Sequence, residues 1–381
     1  MNIDAVRGRY SSLNGFAFFD APGGTQVPDE VGDAIAAALR TASGNLGAQY
    51  ATGDAIKEIV TRAKADAAGF LGATPEEIWF GANMTTLNFA LSRAAGRDFG
   101  PGDEVLTTQL DHDAGVAPWV ELAADNGFEV GVVRATDDLT VDYDDLERRL
   151  GERTRVVAFV LSSNAIGSTA DAKRICALAR EAGAVSWIDA VHHAAHERID
   201  VADLGCDVLL CSPYKFCGPH LGIAYMRRDL AERWRPYKAR PSPSRFETGT
   251  PAFELLAGFS ATVAYLDAIG GYDAIGPYER ELAEHFLASL PPRVKIYGPQ
   301  TMEGRVPTFL LNVDGVPADV AARQLAARDI GVWTHDNWYC VALAPRLPEQ
   351  SIRAGIAHYN TREEVDRLLE ALDTLSGGVA Y

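Results

Sequence analysis

Cysteine is scarce in this chain. Five occur in 381 residues, at Cys176, Cys206, Cys211, Cys217 and Cys340, odd in number and irregularly spaced. That usage argues against a disulfide scaffold and fits a reducing compartment. Positive charge is also short, with 35 Lys+Arg against 52 Asp+Glu and a formal net charge of −17. No Lys/Arg run offsets this excess, so a polyanionic partner such as a nucleic acid is disfavoured. No stretch approaches the ~20 consecutive apolar residues of a membrane span. The N-terminal "MNIDAVRGRYSSLNGFAFFD" carries charged and polar residues in place of a signal peptide's apolar core. Repeats, low-complexity tracts and His/Cys/acid sets with metal-ligand spacing are missing too. The expectation is a cytoplasmic protein with no metal, no membrane and no nucleic-acid partner.

What is present is ordinary globular material, 47% hydrophobic and 23% charged. Single cores stop growing at about 250–300 residues, so this length predicts two domains. From residue 28 to residue 225, amphipathic helical stretches ("DAIKEIVTRAKADAAGFLG", "ADAKRICALAREAG") alternate with short apolar strands ("EEIWFGA", "DEVLTT", "EVGVVRA", "TRVVAFVLSS", "AVSWIDA", "CDVLLCS", "GIAYMRR"). This alternation predicts an α/β fold with a mostly parallel sheet covered on both faces. "RPYKARPSPSRFETGTPAF" breaks the pattern and reads as a loop and interdomain hinge. Beyond it, long helices, the strands "TFLLNV" and "IGVWTH" and the helix "TREEVDRLLEALDTL" predict a smaller α+β domain. The expected boundaries are 20–255 for the large domain, and 256–381 with 1–19 for the small one.

Parallel α/β sheets bind ligands beyond the carboxyl ends of their strands, and the unusual polar residues fall there. Lys215 sits in "CSPYKFCGPHLG", framed by Pro and Gly, directly after an apolar strand. A lysine at such an exit is ordinarily a solvated surface charge, but its companions argue otherwise. Asp189 ends the preceding strand, Asn164 follows another, His112 precedes a helix, and "GANMTTLN" leads a strand into a helix through Asn83, Met84 and Thr85. A lysine holding an aldehyde as a Schiff base, a carboxylate facing a pyridine nitrogen and a helix N-terminus facing a phosphate are the needs of pyridoxal phosphate. Competing readings are an N-cap for Asp189, a cap at Asp113, and core or surface roles for His193 and His196.

With these residues in register, the chain resembles the class V aminotransferase branch of fold type I pyridoxal phosphate enzymes, especially the cysteine desulfurase-like proteins. The resemblance runs from "FFDAPGGTQVP" through "SRFETGTPAF" to "RAGIAHYNTREEVDRLLEAL". It implies that Lys215 is the Schiff-base lysine, Asp189 the pyridinium partner and His112 the ring that stacks on the cofactor. Asn164 and His192 are implied beside the ring hydroxyl, where many relatives carry Gln in place of His192. Asn83, Met84, Thr85 and Ser212 are implied at the phosphate, with Tyr214 standing where desulfurases usually have His. "RFETGTP" is similar to the loop that reaches a neighbouring subunit, which implies a homodimer with shared sites in which Gly249 and Thr250 contact the partner's phosphate. Arg353 is implied as the anchor for the carboxylate of a small amino-acid substrate.

The same resemblance fails at one place. Desulfurases carry Arg, Ser or Thr, Gly and then Cys on a mobile loop. Here "VWTHDNWYCVALAP" has Trp333 for the Arg, His335 for the Gly, and extra residues before Cys340. Cys340 is therefore a candidate nucleophile set against a plain packing role. Three readings remain open. The first is carbon–sulfur cleavage of cysteine or a cysteine conjugate, by a desulfurase-like enzyme or β-lyase. The second is transamination, epimerisation or decarboxylation of another amino acid. The third is a non-catalytic binding module on the same fold.

Overall fold

The computed structural model describes residues 1–239 and 245–378. Its large sheet has seven strands, in the order Ile78–Gly81, Gly222–Met226, Val208–Cys211, Val185–Asp189, Thr154–Val160, Glu104–Thr108 and Glu129–Val133. All neighbours are parallel except those of Gly222–Met226, which runs opposite to both strands beside it. The connection before it explains the reversal. A parallel crossover needs a dozen or more residues and usually a helix, whereas only residues 212–221 join Cys211 to Gly222. Those ten residues hold Lys215.

Helices cover the sheet because their apolar residues recur on one face. In Ala172–Glu181, Ala172, Ile175, Cys176 and Ala179 are buried and the intervening charges face out. Met84–Ala95 starts from a capping box in which the Asn83 side chain accepts the Thr86 N–H at 2.8 Å. Gly222 lets this helix start close to the sheet, since a Cβ there would lie 2.4 Å from the Asn83 carbonyl carbon.

A second, antiparallel sheet orders Trp333–His335, Ser351–Gly355, Thr308–Val313 and Val294–Tyr297, with its own apolar core. The stretch read as one strand, "IGVWTH", is split. Ile330–Gly331 pairs in parallel with Ala17–Phe18, and Trp333–His335 joins the antiparallel sheet. Two packing features bear on the expected boundaries at 19/20 and 255/256. The 255/256 boundary falls inside one helix, Phe253–Ala268, whose Leu256, Phe259 and Leu266 pack in a core shared by large-sheet residues and by Leu310, Cys340 and Tyr359. Within 1–19, Val6, Tyr10 and Leu13 also pack there, while Ala17 and Phe19 join the small core. The hinge reading of "RPYKARPSPSRFETGTPAF" includes residues 240–244, which lie outside the described residues.

Candidate active site

A cavity opens beyond the carboxyl ends of the large sheet. Lys215 reaches it from a short 3₁₀ turn, Pro213–Lys215, at the exit of the strand Val208–Cys211. Its Nζ donates to the carbonyls of Pro22 (2.5 Å) and Gly23 (3.0 Å). The "PGGTQ" segment clasps the same turn, since the Thr25 amide donates to the Tyr214 carbonyl at 3.0 Å and Thr25 Oγ1 accepts the Cys217 amide at 2.7 Å. Burial, reinforced by the Arg353 charge, brings the Lys215 amine down to about 7. At neutral pH a large fraction of this amine is an uncharged nucleophile.

Asp189 ends its strand in the same cavity, where its carboxylate accepts the Val191 amide at 2.9 Å. Burial raises it to about 6, against the lowering effects of that amide and of Lys215. Asn164 and His192 line the same wall. His192 Nε2 is 2.8 Å from Thr308 Oγ1, and burial pushes the imidazole well below its usual range. His193 and His196 turn away from the cavity into satisfied core positions, His193 on Ser162 and His196 on Glu279.

His112 is itself the N-cap of Asp113–Asn126, its Nδ1 accepting the Ala114 amide at 3.0 Å, and Asp113, a competing reading for the cap, lies in the first helical turn. Burial first, then the Lys215 and Arg353 charges, lower the ring to about 4. It is thus neutral, with its proton on Nε2. Asp111 is buried beneath it and accepts the amides of Thr108 (2.7 Å) and Val160 (2.5 Å), fixing the turn. Asn83, Met84 and Thr85 line the cavity at a helix N-terminus, and Ser212 Oγ accepts the Met84 amide at 3.0 Å. Tyr214 completes the lining, its ring centroid 5.0 Å from Lys215 Nζ.

Four expected site residues lie off this lining. Gly249 and Thr250 are exposed and border a separate cleft with His220 and Leu221. Arg353 is fully buried behind Asn164. Its Nη1 donates to the Asn164 carbonyl at 3.0 Å, its Nη2 lies 3.3 Å from Asp20 Oδ1, and it sits against the Trp333 and Trp338 rings. Cys340 is fully buried, its Sγ 3.2 Å from Asn164 Oδ1, and burial drives the thiol pKa far above its ordinary value. Asp20, Thr308 and Trp338 were not singled out from the sequence. Asp20 alone left a trace there, as the first charge after "FAFF".

The aminotransferase class-V family model matches residues 17–368. A probable cysteine desulfurase 2 of Mycobacterium leprae is 34% identical over 98% of this chain and 97% of its own length. A cysteine desulfurase of Pectobacterium atrosepticum is 31% identical over 98% of both. A solved apo structure of a cysteine desulfurase from Thermococcus onnurineus NA1 superposes with a TM-score of 0.91 at 25% identity, covering 97% of each chain. A match over nearly the whole length, with the polar residues gathered at the strand ends, leads to one conclusion: the chain belongs to the aminotransferase class-V family.

Proposed function

We propose that this protein is a pyridoxal phosphate-dependent enzyme that cleaves the carbon–sulfur bond of cysteine or a cysteine conjugate. The observation that carries the reading is the convergence of Lys215, Asp189 and a helix N-terminus on one cavity. The donor set fits the cofactor. A partly neutral amine suits an aldehyde, a buried carboxylate suits a pyridine nitrogen, and the capped start of Met84–Ala95 suits a phosphate. Bound there, the cofactor would supply an electron sink for charge developing at the substrate Cα.

The chain's own residues do the rest. Lys215 Nζ holds or releases a proton near neutrality, as a general base at Cα requires. Asp189 is the carboxylate that would face the ring nitrogen; beside a positive charge it would keep its own negative charge and hold that proton in place. His112 offers a flat neutral face at the cavity wall. Arg353, implied by the resemblance as the carboxylate anchor, lies off the cavity lining and would have to exchange its contact with Asp20 to take that role. Gly249 and Thr250, exposed on the protomer, close the phosphate site of a second copy in a homodimer. A cytoplasmic location is supported by five cysteines that are all free and buried.

Within this reading, the burial of Cys340 favours bond cleavage by Lys215 and the ring over sulfur transfer to a loop thiol. Borohydride reduction and peptide mapping should find the pyridoxyl mass on Lys215, and cysteine or an S-conjugate should give sulfide or thiol with pyruvate. A label on another lysine overturns the site. Keto-acid formation with retention of sulfur would point to transamination, and no amino-acid-dependent spectral change would point to a binding module.

A further inference from the structure

We propose that Cys340 is a positioning residue, whose thiol donates a hydrogen bond to Asn164 Oδ1 and so fixes the edge that Asn164 presents to the active-site cavity. The identity of what that edge faces rests on the cofactor reading above. The contact itself stands on geometry.

An amide side chain has two near-isosteric ends, and only its partners decide which points where. Asn164 meets one partner of each kind. Its Nδ2 donates to the Trp338 carbonyl at 3.0 Å, and its Oδ1 accepts from Cys340 Sγ at 3.2 Å. The Trp338 carbonyl can only accept, so Nδ2 faces it; Cys340 Sγ also lies 3.6 Å from the Trp338 carbonyl and 3.9 Å from the Leu110 carbonyl, and its single proton goes to the nearest acceptor, Asn164 Oδ1. Arg353 Nη1 holds the Asn164 main chain at 3.0 Å, which leaves the side-chain torsions as the remaining freedom.

The segment around Cys340 is built to keep the thiol there. Trp338 and Tyr339 both have φ of 55°, a left-handed conformation costly for bulky residues. The turn is held by Cys340 N–H to Asn337 O (2.9 Å), by Asp113 N–H to Tyr339 O (2.6 Å) and by the Leu343 and Ala344 amides on Cys340 O. Trp338 is fully buried against Arg353, and Tyr339 stacks on His112 at 5.4 Å. Tyr339 and Val341 are exposed while the cysteine between them is not. Burial keeps the thiol protonated, and only the protonated form can donate.

The test couples two positions. Cofactor affinity is measured by titrating pyridoxal phosphate into the cofactor-free parent, Cys340→Ala, Cys340→Ser, Asn164→Ala and the Cys340→Ala/Asn164→Ala double variant, with melting temperatures alongside. One weak hydrogen bond predicts that Cys340→Ala weakens binding about threefold in the parent and leaves it unchanged in Asn164→Ala. Cys340→Ser, which keeps a donor, should fall between parent and Cys340→Ala, and it serves alone should Cys340→Ala fail to fold. Equal losses in both backgrounds, or a lowered melting temperature with no coupling, overturn the proposal. A second arm needs no cofactor. Iodoacetamide should spare Cys340 in the native parent and label it faster in Asn164→Ala; rapid labelling of the parent, or no acceleration, overturns it as well. Failure of the parent to bind pyridoxal phosphate would sink the functional reading, while the alkylation arm would still decide the role of Cys340. A persulfide trapped on Cys340 during turnover would replace the positioning role with a nucleophilic one.

Discussion

Replacing Lys215 by Met should make the cofactor-free protein more stable near neutrality, and the gain should vanish as the pH rises. The amine falls from an ordinary 10.5 to about 7, first because burial penalises its charge and then because Arg353 repels it. The unfolded chain therefore keeps a proton on Lys215 up to about pH 10.5, whereas the folded chain loses it near pH 7. Between those values the unfolded state binds more protons, so the stability of the parent rises with pH through that window. Below it the penalty is complete and constant. At 1.36 kcal/mol per pH unit, full burial would correspond to ~5 kcal/mol. Lys215 is only partly buried and its amine keeps two carbonyl partners, so screening reduces the expected effect to about 2–3 kcal/mol. Met matches the stem without the charge and removes the penalty in both limits. Urea unfolding of both cofactor-free proteins at about pH 7 and about pH 10 reads the difference directly. Met should be ahead at the lower pH and level at the higher. A difference that stays flat, or that grows with pH, would show that the Lys215 pKa is not depressed by the fold.

Asp189→Asn should still take up pyridoxal phosphate and hold it on Lys215, yet lose turnover by about a hundredfold or more, because a neutral amide cannot keep the ring nitrogen protonated as a carboxylate does and the electron sink depends on that proton; steady-state rates within a few-fold of the parent would remove Asp189 from the chemistry. Mixing Lys215→Ala with Thr250→Ala protomers should restore activity above that of either variant, since a mixed dimer with shared sites regains one intact site; light scattering that finds a fully active monomer would refute the arrangement.

Lys215 was legible because the feature that matters is local. An apolar strand runs directly into a loop framed by Pro213, Gly218, Pro219 and Gly222, all within a few residues of the lysine. The helix start at Asn83 was legible for the same reason, as capping is decided over four residues. The cap on Asp113–Asn126 was not decided by the sequence, where Asp113 was one competing reading; the backbone turns one residue earlier and presents the His112 ring nitrogen. "IGVWTH" read as a single strand because apolar pattern reports extension and not the partner, and its two halves have different ones.

The sequence alone, then, carried the parallel α/β large sheet, the strand-end lysine and acid, and the capped helix that faces them, since each follows from periodicity or from contacts a few residues apart. Tertiary structure decided what depends on distant pairing. It set Asp20 against Arg353, 333 positions away along the chain, and closed two indoles around that guanidinium. It also decided the fate of Cys340. Whether a thiol between two exposed residues faces solvent or Asn164 is fixed by a left-handed turn and the wall behind it, and side-chain spacing holds no record of either.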